Sequence, residues 1–282
     1  MRSFHLPPEG ATMAKDLPND TTPTTAPSVT SLFGVSGRRA IVTGGDSGLG
    51  HGQAEALLEA GAQVVIMART RSKVDAALAG WARRGLEGHG VVADLSDAAS
   101  RGRGFDEAVA TLGGLDVLVN TAGMITRHRA EDYPLDEYRA VLAVNAEAPF
   151  GLSQRAARIF IAQGHGKIIN MASMLSFSGG ANVPAYAASK GAIAQLTKAC
   201  ANEWAAHGIN VNAIAPGYMA TDLNTSLQGE DNPRYREITA RIPAGRWGNA
   251  DDLKGITVFL ASGASDYLNG AVIPVDGGYL GR

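Results

Sequence analysis

Tyr186 and Lys190 stand four residues apart in the run Tyr186-Ala187-Ala188-Ser189-Lys190, so on a helix the phenol and the ammonium share one face. A phenol with an ordinary pKa of about 10 exchanges protons poorly at neutral pH. A neighbouring cation favours the phenolate and makes tyrosine a usable general acid/base. A Tyr and a Lys at this spacing also arise by chance, so the pair needs company. Ser173, thirteen residues before Tyr186, closes the run Lys-Ile-Ile-Asn-Met-Ala-Ser and would hold a substrate oxygen with its hydroxyl. Asn145 is an amide among Val144, Ala146 and Ala148, where it needs a hydrogen-bond partner of either structural or catalytic use. No G-x-S-x-G turn surrounds Ser173, which argues against a serine hydrolase. The histidines are scattered singly and Cys200 is the one cysteine, so no metal site is expected and Cys200 reads as core packing.

A second group of residues has the character of a phosphate cradle. The apolar run Arg39–Thr43 leads straight into Gly44-Gly45-Asp46-Ser47-Gly48-Leu49-Gly50, ahead of a helical pattern. Glycines at this spacing let the backbone turn from strand to helix and leave amides and the helix dipole facing a pyrophosphate. The spacing is not the G-x-G-x-x-G of the common dinucleotide fingerprint, and an ordinary glycine-rich turn is the bland alternative. After the next apolar run, where an acid would bind the adenosine ribose of NAD, the chain has Arg69. An arginine there accommodates a 2′-phosphate and tilts the expectation towards NADP, whereas Asp46 in the first loop opposes phosphate. Asp94, followed by Leu95, offers a carboxylate to an adenine amino group, or caps a helix near Ser96 and Asp97.

Strands and helices must hold these residues. Arg39–Thr43, Gln63–Ala68, Gly90–Ala93, Asp116–Asn120, Lys167–Met171, Asn210–Ala213 and Ala271–Val275 are near-continuously apolar and β-branched, as strands covered on both faces should be. Helical patterns lie between them over Leu49–Ala60, Ser72–Arg84, Asp97–Leu112, Asp136–Gln163, Pro184–His207 and Ala250–Ser262. The alternation predicts an α/β fold with one doubly wound sheet of about seven parallel strands and helices on both faces. In such sheets ligands bind at the carboxyl edge, where Ser173 and the glycine turn fall. Residues 1–35 read as a flexible tail rich in Thr, Pro, Asp and Asn, with Met13 an alternative start, and 36–282 as one domain. No apolar stretch for a secretory signal follows Arg2.

Composition sets the outer limits. The 282 residues are 45% apolar and 18% charged, enough for a core and too few charges for a disordered chain. A net charge of −2 leaves no excess of basic residues to draw the chain to nucleic acid. No apolar run reaches the roughly 18 residues of a membrane span, and a single cysteine fits a reducing cytoplasm.

Together, Thr43–Gly50, Asn120-Thr121-Ala122-Gly123, Asn145, Ser173, Tyr186/Lys190 and Pro216-Gly217 resemble the short-chain dehydrogenase/reductase superfamily, from about Phe33 to the end. The resemblance implies a Rossmann-type domain and NAD or NADP as cofactor. It implies that Tyr186 exchanges a proton with the substrate hydroxyl or carbonyl, that Lys190 lowers its pKa and bonds the nicotinamide ribose, and that Ser173 polarises the carbonyl. Asn145 would hold a water in the proton relay. Gly44, Asp46, Ser47, Gly48, Leu49, Gly50, Asn120, Ala122, Gly123, Pro216, Gly217, Met219 and Thr221 would border the cofactor, with Thr221 at the nicotinamide amide. Thr121 departs from the family, which usually has Asn there. Ser47 stands where some NADP-dependent members carry a basic residue, so the choice between NAD and NADP stays open.

The second half is similar to a narrower group, the 2-deoxy-D-gluconate 3-dehydrogenases and 2-dehydro-3-deoxy-D-gluconate 5-dehydrogenases. Ile168–Gly180, Asn202–His207, Ile209–Thr221, Arg241–Gly248 and the ending Val-Asp-Gly-Gly-Tyr-Leu-Gly-Arg carry the likeness. It implies a sugar acid interconverted between secondary alcohol and ketone, in a cytoplasmic homotetramer. The substrate's carboxylate calls for a cation. Arg127, His128 and Arg129 are candidates, with a solvated basic loop as the alternative. Tyr218, Met219 and the stretch Arg241–Trp247 would wall the substrate side, and residues 224–234 would form a closing lid. Two other readings stand beside this one. A reductase of another carbonyl, such as a 3-oxoacyl thioester or a steroid, would want an apolar pocket without a cation. A non-catalytic dinucleotide sensor would have no need for Tyr186 and Lys190 together.

Overall fold

β1 (Arg39–Thr43) sends Ala40 and Val42 to one face of a sheet and Ile41 to the other, and all three are buried. The same two-faced burial holds for most of β2 (Gln63–Ala68) and for β4 (Val117–Asn120) and β5 (Gly166–Met171), which explains why their sequences are largely apolar. β3 (His89–Val92), β6 (Ile209–Pro216) and β7 (Val272–Val275) complete a seven-stranded sheet of order β3-β2-β1-β4-β5-β6-β7, with every pairing parallel. The computed structural model describes residues 27–229 and 231–282. The strand order reverses between β1 and β4, which opens a crevice at the carboxyl edge of the sheet.

Helices cover both faces. α2 (Gly48–Glu59), α3 (Arg71–Ala82) and α9 (Lys254–Ala261) pack with Val42, Ile66, Val119 and Ile169 on one side. α4 (Ala98–Leu112), α6 (Ala148–Gln163) and α7 (Pro184–Trp204) pack with Ile41, Met67, Leu118 and Ile168 on the other, where Cys200 also lies. Each fully buried Ile or Leu here contributes about 1.5–3 kcal/mol relative to exposure. Among the described residues no helix is long and apolar enough to cross a membrane.

Four differences from the sequence-based expectation have identifiable causes. The predicted helix Asp136–Gln163 is α5 (Leu135–Leu142) and α6 joined by a π-helical turn, Ala143–Glu147. β6 runs to Pro216 rather than Ala213, because Ile214, Ala215 and Pro216 still pair with Ile273, Pro274 and Val275. The stretch expected as a lid, 224–234, runs into the first turn of α8 (Pro233–Ala240), started by Pro233 and by the Asn232 side chain, which accepts from Arg234 N at 3.0 Å. Within that stretch residue 230 lies outside the described residues. The tail boundary moves forward: Ser28 caps a short helix α1 (Val29–Leu32), Phe33 packs on Phe259 with centroids 6.0 Å apart, and Val35 is in the core. Residues 1–26 of the expected tail lie outside the described residues.

Candidate active site

β5 ends at Met171 and delivers Ser173 to the carboxyl edge, while α7 begins at Pro184 and presents Tyr186 and Lys190 on successive turns. Ser173 caps the short turn Met174–Ser176: its hydroxyl accepts from Leu175 N at 3.1 Å, and Ser176 Oγ accepts from Ser173 N at 3.3 Å. Ser176 in turn donates to the Lys190 carbonyl at 2.7 Å, which ties the serine loop to α7. The Tyr186 ring is half-exposed but its phenol is enclosed, and burial pushes its pKa up. The neighbouring Ser173 hydroxyl and the charge of Arg127 pull the other way. Lys190 is buried, and burial lowers its ammonium to about 8. Its Nζ lies 5.5 Å from the Tyr186 ring centroid and donates to the Met171 carbonyl at 2.6 Å. Arg127 thus joins Lys190 as a positive charge near the phenol, one the Tyr-x-x-x-Lys spacing does not reveal.

Asn145 sits in the π-turn and is buried. Its Oδ1 accepts from Met124 N at 2.8 Å, and its Nδ2 donates to Met124 O at 2.9 Å and to Ser189 Oγ at 3.1 Å. Ser189 Oγ donates to the Tyr186 carbonyl at 2.7 Å. The amide thereby joins the loop after β4 to the helix that carries Tyr186 and Lys190. Ser189 and the Met171 carbonyl were not foreseen as site groups. A polar residue inside Tyr-Ala-Ala-Ser-Lys was a signal for the first, whereas a main-chain carbonyl leaves none.

The glycine turn fits a dinucleotide. Gly44 has φ +66° and meets Ala122, whose Cα would lie 2.9 Å from an added Cβ. A Cβ on Gly50 would fall 2.2 Å from the Gly44 carbonyl oxygen, so the turn closes only with glycine there. Ser47 is the N-cap of α2 but makes no side-chain capping bond, and no acid lies in the first turn. The first amides of α2 therefore remain available to an anion at the positive end of the helix. Gly48, at φ +55°, faces Thr221, whose Cβ would lie 3.9 Å from an added Cβ, which sets Pro216–Thr221 across from the turn. Gly217 is pressed on Asp276, where a Cβ would come within 2.7 Å.

The other expected cofactor residues divide by what their side chains do. Arg69 is exposed, and its charge acts on Asp94, which Ser96 holds below the usual carboxylate range. Asp94 Oδ1 accepts from Ser96 N at 2.9 Å and from Ser96 Oγ at 2.6 Å; the helix cap is Asp97. Asp46 is half-buried in the turn, and Leu49 and Leu95 are packing residues. Asn120 turns its amide beneath the loop, donating to Asn170 Oδ1 at 2.9 Å and Ser153 Oγ at 3.2 Å. Ala122 and its neighbour Thr121 hang by their N–H groups, at 3.1 and 3.0 Å, on Thr43 Oγ1. Gly123 borders Asn145. Met219 is buried against Gly248.

The substrate candidates also separate. Arg127 is exposed, influences the Tyr186 phenol, and donates to the Leu223 carbonyl at 3.3 Å. His128 instead bonds Glu137 at 2.8 Å, and Arg129 bonds Glu131 at 3.0 Å. Tyr218 and Trp247 meet each other, with centroids 5.2 Å apart, in an aromatic cluster with Tyr235 and Tyr279. Trp247 is buried, and its indole N–H is taken by Thr239 Oγ1 at 3.0 Å. Among the described residues no group of three or more His, Cys, Asp or Glu gathers as for a metal ion.

Comparison with known proteins agrees with this geometry. A family model described as enoyl-(acyl carrier protein) reductase matches residues 44–280. The 2-dehydro-3-deoxy-D-gluconate 5-dehydrogenase of Dickeya dadantii is 49% identical over 260 residues, which span 90% of this chain and 100% of the relative. The Escherichia coli enzyme of the same name is 49% identical over 258 residues, with the same coverage. A gluconate 5-dehydrogenase from Burkholderia cenocepacia, solved with NADP and tartrate, is 39% identical with a TM-score of 0.86, covering 90% of this chain and 100% of that one. A Beutenbergia cavernae structure with bound NADP is 46% identical with a TM-score of 0.85, covering 89% and 100%. The chain belongs to the short-chain dehydrogenase/reductase family.

Proposed function

We propose that this protein is an oxidoreductase that transfers a hydride between NADP, or NAD, and a secondary alcohol or ketone of a sugar acid of the 2-deoxy-D-gluconate or 2-dehydro-3-deoxy-D-gluconate type. The observation that carries the substrate class is the placing of Arg127: an exposed cation whose charge reaches the Tyr186 phenol, and the one of three neighbouring basic residues not paired with an acid among the described residues. A substrate whose reacting oxygen sits at Tyr186 would present its carboxylate to Arg127. Relatives named for this activity, and a neighbour solved with the hydroxy-acid tartrate, support the assignment. The NADP in solved neighbours and exposed Arg69 at the ribose end of the crevice support NADP.

The nicotinamide dinucleotide, when bound, supplies the hydride donor or acceptor. The chain's own groups manage the proton and the position. Ser173 Oγ holds the substrate oxygen. In oxidation the Tyr186 phenolate takes the hydroxyl proton; in reduction the phenol gives it to the oxygen of the forming alcohol. Arg127 favours the phenolate, and Asn145 fixes α7 against the loop after β4. Gly44, Gly48, Gly50 and the free α2 amides would hold the pyrophosphate, with Pro216–Thr221 as the facing wall.

Assembly as a homotetramer in the cytoplasm belongs to the same proposal. Half-exposed Phe150 and Ile161 on α6 support a further packing face, and a single buried cysteine supports a reducing compartment.

The test is turnover of a panel of sugar acids and of the matching uncharged sugars with NADP and NAD, by wild type and Arg127→Leu. Loss of a charged hydrogen bond of about 1.5–3 kcal/mol should raise KM for the acids roughly ten- to hundredfold. KM for uncharged sugars should not move. Equal preference of the wild type for acids and uncharged sugars would contradict the assignment.

A further inference from the structure

Gln53 is completely buried on α2, one turn past the glycine turn, and both ends of its amide are engaged. Thr121 Oγ1 donates to Gln53 Oε1 at 2.5 Å. Gln53 Nε2 donates to Thr257 Oγ1 at 3.2 Å, and Thr257 Oγ1 donates to the Leu253 carbonyl at 2.8 Å. A polar chain thus runs from the loop after β4, through α2, to the start of α9, across a face otherwise packed by Leu57, Val119 and Leu260. A buried amide that loses a partner is costly, so the chain fixes one spacing between these elements.

Asn120–Met124 is then gripped by a side-chain amide at each end. Asn145 holds Met124 by both its N–H and its carbonyl. Gln53 holds Thr121, while Thr43 Oγ1 takes the N–H groups of Thr121 and Ala122 from below. Ala122 is the residue on which Gly44 closes. The distance between the glycine turn and the loop facing it is therefore set through Gln53. We infer that Gln53, through Thr121, is a positioning residue for the dinucleotide: it holds the two walls of the cofactor crevice at binding distance and does not touch the reacting atoms. This rests on the proposed NADP-dependent activity.

The experiment compares wild type, Gln53→Met, Thr121→Val and the double variant in three measurements. These are NADPH binding by fluorescence titration, KM and kcat with a saturating sugar acid, and thermal melting without cofactor. Methionine keeps the volume of glutamine and removes both hydrogen bonds. Each single variant should weaken NADPH binding and raise KM for NADP about tenfold, with kcat largely kept. The double variant should be no worse than the weaker-binding single, because both break one link. A purely structural Gln53 would instead lower the melting temperature and leave NADPH affinity of the folded protein unchanged, which would overturn the inference. Additive effects of the two substitutions would also overturn it. Wild type that binds no NADPH would overturn the underlying activity, a different outcome from a Gln53→Met that binds as well as wild type. Should Gln53→Met fail to fold, Thr257→Val tests the same chain from its far end: unchanged NADPH affinity there counts against the inference, and weakened affinity supports it.

Discussion

The Lys190 ammonium and the Met171 carbonyl, one on α7 and one at the end of β5, are 2.6 Å apart and buried together. The bond ties α7, which carries Tyr186, to the strand that delivers Ser173. It also holds a cation inside the protein, where burial lowers its pKa from 10.5 to about 8.

That cation carries a stability cost with a definite pH dependence. Below pH 8 the folded chain keeps a buried charge that the unfolded chain solvates. Between about 8 and 10.5 the folded lysine has lost the proton that the unfolded one still holds, so stability rises with pH across that window. The shift corresponds to about 3 kcal/mol, offset by about 1 kcal/mol for the bond to Met171. Lys190→Met should therefore melt higher than wild type at pH 7 while losing most activity, since the ammonium beside the Tyr186 ring is gone, and the gap should narrow markedly by pH 10. Melting curves at both pH values check this; a pH-independent gap would contradict it.

Asn145→Ala removes three hydrogen bonds and leaves the Met124 N–H and carbonyl without their side-chain partner. Urea unfolding should show a loss of about 3 kcal/mol. Activity should fall further than NADPH affinity, because the loop is still held at Thr121 while α7 is released.

Gly50→Ala would drive a methyl to 2.2 Å from the Gly44 carbonyl. The turn must open to admit it, at a cost of about 1–3 kcal/mol. NADP binding should weaken about tenfold or more by titration. Alanine at Gly191, where a Cβ meets nothing within 4 Å, is the control expected to bind normally.

Much of this was legible in the chain because burial writes a simple pattern. β1 and β2 carry apolar residues to both faces, and their bounds follow from the runs Arg39–Thr43 and Gln63–Ala68. Tyr186 and Lys190 share a face by spacing alone. The π-turn at Asn145 was not legible, because a change from one hydrogen-bond register to another has no residue-type signature in Ala-Val-Asn-Ala-Glu. α8 was hidden in polar sequence, since Ile238 is its one buried residue and its packing on Ile242 and Trp247 is tertiary. For Trp247, expected at the end of a wall on the substrate side, the partners were not legible: it packs on Tyr218 and Tyr235 and its N–H is taken by Thr239. The Arg127 charge near the phenol and the Met171 carbonyl that Lys190 bonds were not legible, because both depend on tertiary placement and a main-chain carbonyl has no residue-type signature.

The proton-transfer role of Tyr186 is tested most directly by Tyr186→Phe, with NADPH binding and sugar-acid oxidation measured on the same preparation. Phenylalanine keeps the ring and removes only the acid/base oxygen. Unchanged NADPH affinity with turnover reduced about 10²–10⁴-fold is the predicted result. Turnover at the wild-type rate would contradict the account.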